Sequence, residues 1–424
     1  MAHNFTLRRG FKVDLDGAPE DSIHDAPPVT GAALLGTDCP GLRAAFEVAA
    51  GDRVKLGQVL FRDRKRPRIA FVAPVSGTVV GIDYGPRRSL SALRIACGAD
   101  DSAEKTDAAD QTSVDPRELL LSRGFWPAFR SRPFGRIPDP DAIPAAIFVR
   151  AIDTHPLAPN PLNVLGSAKA EFGKGLTALT ELTDGPVYLC QAPGPDLAKP
   201  IAGVEIARFA GPHPAGLSGT HIQYLHKKSV SAPVWTIGYQ DVLAIGRLLE
   251  TGAYVPERVI SLAGPRVTRP RLLRTVLGAS LRDLTEGEIE PDGDGYTARL
   301  IAGSVLSGHE AAYLGCETVQ ISVIDAPGRS AASIFARWFA DKRAPVGPRP
   351  IVPTTALERA APPGIVAPVP LLRALSVGDS EAAARHGALG LIEEDMALLS
   401  NVCTSQSDYG VLLRRVLDEL EDAV

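Results

Sequence analysis

A glycine-rich loop with two histidines is the segment of this chain whose residue types best fit direct chemistry. It runs from Gly211 to His221 and contains His213, Thr220 and His221. Imidazole rings titrate near neutral pH, and a glycine-rich loop exposes backbone N–H donors, so this loop can hold polar atoms of a ligand. A plain surface loop, with glycines at positive φ and histidines capping neighbouring elements, would carry the same residues. Both interpretations stay open at the level of sequence.

A second candidate combines an aromatic ring with arginines. Phe134 follows Arg132-Pro133 and precedes Arg136, while the segment Leu34–Gly36 lies near the start of the chain. An aromatic residue beside arginines near a domain junction can flank a flat hydrophobic ligand, or it can simply pack two domains together.

Several other chemistries lack their residue patterns. No G-x-G-x-x-G follows a predicted strand, and the lookalike Gly166–Gly175 has the wrong spacing for a phosphate loop and no following Ser or Thr. A zinc site at His213, His221 and His226 lacks a fourth ligand. The five cysteines include no Cys-x-x-Cys pair, so they predict reduced thiols and no metal or iron–sulfur cluster.

The composition indicates a globular protein of three or four domains. The chain has 424 residues, 45% hydrophobic and 22% charged, and a net charge of −4. This charge argues against nucleic acid as the main partner. The longest apolar runs are far shorter than the roughly 20 residues of a membrane helix, and no leader pattern follows Met1, so we expect a cytoplasmic protein.

The first part of the chain predicts an N-terminal arm over 1–28 and a small β module over 29–98. Within the module, Gly51–Ile82 has tight-turn residues between short apolar strands, which resembles the barrel-sandwich fold of lipoyl/biotinyl carrier domains. A carrier lysine is not implied, because Lys65 lies in the cationic run Arg62–Arg66. We expect Lys65 at a solvated hairpin tip and Gly77 at a tight turn of positive φ.

The remainder predicts an α/β multidomain protein. After an acidic linker at 99–115, helical and strand patterns alternate over 116–255 as in a Rossmann-like domain, and short strands over 256–330 suit a β-grasp domain around one helix at Arg269–Gly278. A proline-rich crossing and a helical C-terminal region follow over 331–424, beginning with a helix at Ala331–Ala340.

Short motifs in one colinear order give the chain a family resemblance. Taken together they resemble the A subunit of the Na+-translocating NADH:quinone reductase of bacterial membranes, over essentially the whole chain. The motifs are Gly17–Glu20 with Ile23–Asp25, Ala33–Gly36, Gly51–Ile82, Arg130–Phe134, Asp153-Thr154 with Pro156–Ala158, His213–His221, Leu277–Ser280, Gly303–Gly308 and Tyr409-Gly410.

This resemblance implies a peripheral protein on the cytoplasmic face of the bacterial inner membrane, with the other subunits of the complex, above all its membrane subunits, as partners. The related C subunit of electron-transport complexes and the flavin subunit of complex I carry cluster cysteines near the C-terminus, whereas Gly387–Ser405 retains only Cys403. We therefore expect no FMN, FAD or iron–sulfur cluster. The stretch Thr404–Asp408 departs from the proline and basic residue usual in the family, so the local docking surface is expected to differ.

The resemblance also points to ubiquinone as a ligand. The family segments linked to quinone binding match Leu34–Leu42 and Phe134–Pro138. Combined with the histidine loop, this gives the expected quinone-binding residues, namely Leu34, Gly36, Phe134, Arg136, His213, Thr220 and His221. The alternative function is a free-standing soluble flavin-dependent oxidoreductase.

Overall fold

A computed structural model describes residues 3–98, 115–226, 232–291, 296–327 and 349–423 of the chain. These residues form four sheets and eleven α-helices, which confirms a mixed α/β protein of several domains. The acidic stretch 99–114 and the predicted helix Ala331–Ala340 lie outside the described residues. No helix within the described ranges is long and apolar enough to cross a membrane.

The β module consists of two small antiparallel sheets. One has the order β3-β9-β8-β5 and the other β4-β6-β7. As predicted, Arg64 and Lys65 stand at an exposed hairpin tip. The strands are β3 (Gly31–Leu35), β4 (Ala44–Phe46), β5 (Arg53–Val54), β6 (Val59–Asp63), β7 (Arg66–Val72), β8 (Gly77–Tyr84) and β9 (Leu90–Cys97).

The tight turn of positive φ predicted at Gly77 was wrong. Gly77 begins β8 and pairs with both Val54 and Cys97, and its φ is not positive. A Cβ at this position would lie 1.9 Å from the carbonyl oxygen of Ala96. Close approach of a neighbouring backbone, rather than a left-handed turn, is what requires glycine here.

The second sheet is a largely parallel α/β sheet with the order β1-β13-β12-β11-β14-β10, in which only β10 runs antiparallel. Its strands are β1 (His3–Thr6), β10 (Arg130–Arg132), β11 (Ile147–Ala151), β12 (Val187–Gln191), β13 (Val204–Ala210) and β14 (Val234–Gly238). Its helices are α1 (Pro116–Ser122), α2 (Pro161–Leu165), α3 (Lys169–Thr180), α4 (Ser218–Leu225) and α5 (Tyr239–Thr251).

The third sheet has the order β17-β18-β15-β16-β2. Its strands are β2 (Glu20–Asp25), β15 (Glu257–Ala263), β16 (Arg271–Val276), β17 (Tyr296–Ala302) and β18 (Gln320–Pro327), and α6 (Leu281–Thr285) packs beside them. The helix predicted at Arg269–Gly278 was wrong, because this stretch contains β16. Strand β16 pairs with β15 on one side and with β2 on the other. Pairing on both sides, with the neighbouring β15 and with β2 about 250 residues earlier, satisfies the backbone of β16. This outweighs the local apolar spacing that favoured a helix.

The first 28 residues do not form a separate arm. Strand β1 extends the parallel sheet beside β13, and β2 extends the third sheet beside β16. The C-terminal region is helical, with a hydrophobic core of its own that includes Leu371, Met396 and Leu413. Its helices are α7 (Thr355–Ala360), α8 (Pro368–Val377), α9 (Ser380–Arg385), α10 (Glu393–Val402) and α11 (Tyr409–Asp422).

Candidate functional site

A wide groove of about 1580 Å³ runs between the β module, the edge of the parallel sheet near β10 and helix α11. Its lining mixes aromatic and apolar side chains with many charges. The larger apolar and aromatic lining residues are Leu42, Phe46, Tyr84, Leu90, Phe134, Ile137 and Trp235, and the charged ones are Arg43, Arg64, Lys65, Arg66, Arg87, Arg88, Arg136, Asp139, Asp418, Glu421 and Asp422.

The two segments that the family resemblance linked to quinone meet in this groove. Residues 40–42 line one wall, and Phe134 with residues 136–138 lines the other. They are in contact, since a Cβ added to Gly41 would lie 3.2 Å from Nη1 of Arg136. Close to this contact, Nη2 of Arg130 donates a hydrogen bond of 2.7 Å to the carbonyl oxygen of Asp38. Two segments almost a hundred residues apart thus form one surface.

Phe134 has a backbone conformation that bulky residues rarely adopt, with φ at 76°. The surrounding structure holds it there, because Nη1 of Arg414 donates a hydrogen bond of 2.7 Å to the Phe134 carbonyl oxygen. Its ring packs against the C-terminal core and also lines the groove. Backbone strain of this kind, maintained by neighbours, is common at ligand sites.

Arg136 is fixed by the last helix. Its guanidinium lies 2.8 Å from Asp418 and 2.6 Å from Glu421. The same helix carries Arg414, so α11 holds both Phe134 and Arg136 in place.

The other early candidates support the groove without lining it. Leu34 is a buried member of β3, paired with Leu93. Gly36 begins the turn that leads to the groove wall, and a Cβ there would lie 1.8 Å from the Leu90 carbonyl oxygen.

The histidine loop does not line the groove. His213, Thr220 and His221 are all at most 2% exposed and have partners in the interior. Thr220 donates to the carbonyl oxygen of Pro214 over 2.8 Å, Nε2 of His221 lies 2.9 Å from the carbonyl oxygen of Ala215, and Nδ1 of His213 lies 3.2 Å from Oγ1 of Thr154. The structure therefore separates these three residues from Phe134 and Arg136, and it favours the structural interpretation of the loop.

Burial lowers the pKa of both histidines to about 3. For His213, the neighbouring His155 ring lowers the pKa further. For His221, the protonated ring would need a second acceptor, yet its Nδ1 has no partner among the described residues. Both rings are therefore neutral at physiological pH.

These two histidines predict a loss of stability in acid. The unfolded chain binds their protons below about pH 6.5, whereas the folded chain does not until about pH 3. The free energy of unfolding should therefore fall by about 1 kcal/mol per pH unit for each histidine as the pH drops below 6.5. Urea unfolding at pH 7.5 and pH 5 measures it. His221→Gln, whose amide can still donate to Ala215, should show a shallower decline, and an unchanged slope would contradict the assignment.

A second cavity lies at the carboxyl ends of β11 and β14. Strands β12 and β13 extend the sheet on one side of β11 while β14 lies on the other, which is the place where open α/β sheets bind ligands. Here the cavity has a volume of only about 40 Å³, against roughly 300–1000 Å³ for ligand pockets.

This crevice is filled by side chains from three regions of the chain. Arg258 pairs with Asp241, Arg130 with Glu317 over 3.0 Å and Arg150 with Glu394 over 3.3 Å. Burial raises the pKa of Asp241 and of Glu394, and the arginines beside them oppose that shift. The chain thus places its own ion pairs where a nucleotide phosphate would sit.

The basic side of the groove extends beyond the cationic run Arg62–Arg66, and the sequence patterns did not predict this extension. Arg43, Arg87 and Arg88 also line it, and Arg87 and Arg88 have φ values of 56° and 59°. A usable signal was present, since paired arginines directly after Gly85-Pro86 predict a turn that exposes them. For metals, no group of three or more His, Cys, Asp or Glu residues in the described part of the chain is arranged to hold an ion.

Three family models match the chain in succession. The NqrA N-terminal barrel-sandwich hybrid domain matches residues 5–98, the NqrA second alpha/beta domain matches 111–254, and the NQRA C-terminal domain matches 259–312. The first match confirms the barrel-sandwich expectation for the β module.

Curated relatives match along nearly the whole chain. The A subunit of the Na(+)-translocating NADH-quinone reductase of Pasteurella multocida is 42% identical and that of Neisseria meningitidis serogroup A is also 42% identical, each covering 98% of this chain and 99% of the relative. Among solved structures, NAD+-reducing [NiFe]-hydrogenase resembles the chain with TM-scores of 0.35 (air-oxidized) and 0.38 (H2-reduced) at 14% and 13% identity. Those matches cover 75% and 94% of this chain, and 64% and 84% of the hydrogenase chains.

The hydrogenase likeness is too low to carry an argument. The full-length identity to the curated relatives, with the three domain matches in the same order, shows that the chain belongs to the NqrA family, the A subunits of the Na(+)-translocating NADH-quinone reductases.

Proposed function

We propose that this chain is a peripheral, cytoplasm-facing subunit of a Na+-translocating NADH:ubiquinone oxidoreductase, and that its groove receives the quinone head group. The observation that carries the quinone proposal is the meeting of residues 40–42 with Phe134 and Arg136 in one groove. The complex partners follow from the family, whose members are named as one subunit of that reductase.

The groove suits a quinone chemically. A quinone needs an apolar surface for its ring and one or two N–H or O–H donors for its carbonyl oxygens. Phe134 and Leu42 offer the surface, and the guanidinium group of Arg136 offers donors. In this arrangement Leu34 and Gly36 support the adjoining wall of the groove. His213, Thr220 and His221 make no direct contact with the quinone ring.

We further propose that the chain holds no flavin or iron–sulfur centre. The support is the small crevice of the parallel sheet, where Arg258–Asp241, Arg130–Glu317 and Arg150–Glu394 occupy the space that a cofactor phosphate would need. The alternative of a free-standing flavin enzyme predicts a yellow protein. A visible absorption spectrum of the purified chain, after incubation with FMN and FAD, separates the two, and one flavin retained per chain would overturn our proposal.

Removing the Phe134 ring should weaken quinone binding. We expect Phe134→Ala to raise the Kd for a short-chain ubiquinone about tenfold, the equivalent of about 1.4 kcal/mol, as measured by calorimetric titration into the full chain. Tyr224→Ala is the matched control, because Tyr224 is an aromatic residue, 39% exposed, that does not line the groove.

His221→Gln should also leave the quinone affinity unchanged. Equal quinone affinity in wild type and Phe134→Ala would contradict the placement of the quinone ring in this groove. Loss of affinity in His221→Gln at unchanged thermal stability would return the site to the histidine loop.

A further inference from the structure

The groove contains more positive charge than a neutral ring explains. Seven basic residues line it against four acidic ones, in a chain whose net charge is −4. Two of the acids, Asp418 and Glu421, are already paired with Arg136. The groove is also larger than the roughly 1000 Å³ that bounds most small-molecule pockets. A second, anionic and elongated occupant would account for both facts.

The unpaired charges lie on the β module. Arg43, Arg64, Lys65, Arg87 and Arg88 are all exposed, and none forms an ion pair with another residue of the described ranges. They come from three different turns of the module, so the fold gathers them on one wall. By contrast, Arg62, Arg66 and Arg68 in the same run are paired with acids.

The same wall has an open sheet edge. Among the described residues, strand β4 is the end strand of its sheet and pairs only with β6. The backbone N–H of Arg64 donates to the Arg43 carbonyl oxygen, and the backbone N–H of Glu47 donates to the Leu60 carbonyl oxygen. These two bonds show which residues of β4 direct their backbone groups toward β6. In the alternation of an antiparallel pair, the backbone N–H and C=O groups of Ala44 and Phe46 point away from β6.

These outward backbone groups have no partner in the described part of the chain, and both residues line the groove. An open edge of this kind accepts an added strand, whose main-chain hydrogen bonds supply affinity while its side chains supply specificity.

We propose that an extended acidic segment of a partner polypeptide adds to this sheet as a strand beside β4, with its carboxylates paired to Arg43, Arg64, Lys65, Arg87 and Arg88. The open edge fixes a polypeptide as the occupant, and the unpaired cations fix its charge. This docking surface is independent of the quinone proposal, because it uses the β4 edge and the basic turns rather than Phe134.

The test uses a fluorescent peptide with alternating Glu and Val. Its binding to the full chain is measured by fluorescence anisotropy. Ala44→Pro removes one outward N–H without touching a bond between β4 and β6, so it should weaken binding at least tenfold while the chain remains folded. Arg43→Gln combined with Arg87→Gln should weaken binding by a similar factor and flatten its salt dependence. The control is Arg53→Gln, since Arg53 is exposed on the same module but does not line the groove.

Three outcomes would overturn the proposal. The first is failure of the peptide to bind wild type. The second is equal binding by wild type and Ala44→Pro. The third is binding to phosphatidylglycerol vesicles that depends on Arg43 and Arg87 but not on Ala44, which would assign the surface to a lipid headgroup. Quinone affinity should be the same in Ala44→Pro as in wild type, so failure here is distinguishable from failure of the quinone site.

Discussion

Replacing Arg132 with leucine should lower the free energy of unfolding by about 3–5 kcal/mol, because the change leaves a buried charge without its partner. Arg132 in β10 and Asp395 in α10 are 1% and 3% exposed, and Nη1 of Arg132 lies 2.7 Å from Oδ2 of Asp395. Asp395 also accepts a hydrogen bond from the backbone N–H of Ile392 at the start of α10. The pair thus joins the parallel sheet to the C-terminal helices.

Urea unfolding of Arg132→Leu measures this effect. Asp395→Asn keeps an acceptor for the Ile392 N–H but removes the charge, so the double variant Arg132→Leu/Asp395→Asn should be more stable than Arg132→Leu alone. A loss of less than about 1 kcal/mol for Arg132→Leu would contradict this prediction, because it is the value typical of an exposed ion pair. Since Arg132 lies two residues before Phe134, the single variant should also weaken quinone binding.

Gly77→Val should cost about 3 kcal/mol or more in the free energy of unfolding, above the range of an ordinary substitution. Its Cβ would lie 1.9 Å from the Ala96 carbonyl oxygen, and the backbone pairs of Gly77 with Val54 and Cys97 leave β8 no room to shift. Even Gly77→Ala should destabilise the module, since the clash involves the first side-chain carbon.

Gly390→Ala is the control for this variant. A Cβ at Gly390 meets no atom within 4 Å, and the φ of Gly390 is not positive. Thermal unfolding of the three variants should rank Gly390→Ala near wild type, Gly77→Ala lower and Gly77→Val lowest. A melting temperature for Gly77→Val equal to that of wild type would show that β8 and β9 do not pair in this register.

The parts of the fold that sequence predicted well are those whose contacts are local. The hairpin of β6 and β7 joins residues close in the chain, so the cationic run Arg62–Arg66 within a module of short apolar strands was sufficient to predict its tip. Strand β16 was misassigned because its pairing with β2 joins residues about 250 positions apart, which no local pattern reports. The same limit hid the role of β1 and β2.

The candidate site divides in the same way. Phe134 and Arg136 were predicted from an aromatic–arginine pattern and from the family resemblance, and the fold places both in the groove. The histidine loop carried suitable residue types, but the direction of a side chain depends on the packing around it, and His221 is fully buried. The ion pairs that decide which arginines remain free become visible only when distant residues such as Glu47, Glu118 and Asp141 are in place.

The pairing of the first strands has a consequence for how the chain is made. Strand β1 must wait for residues 204–210 and β2 for residues 271–276, so the earliest strands to leave the ribosome are among the last to find a partner. The β module at 29–98 can form meanwhile, because its strands pair with one another. Until translation passes residue 210, both strands lack a partner beside the folded module, and β2 lacks one until translation passes residue 276. This is the interval in which chaperone capture or misassembly would act on the nascent chain.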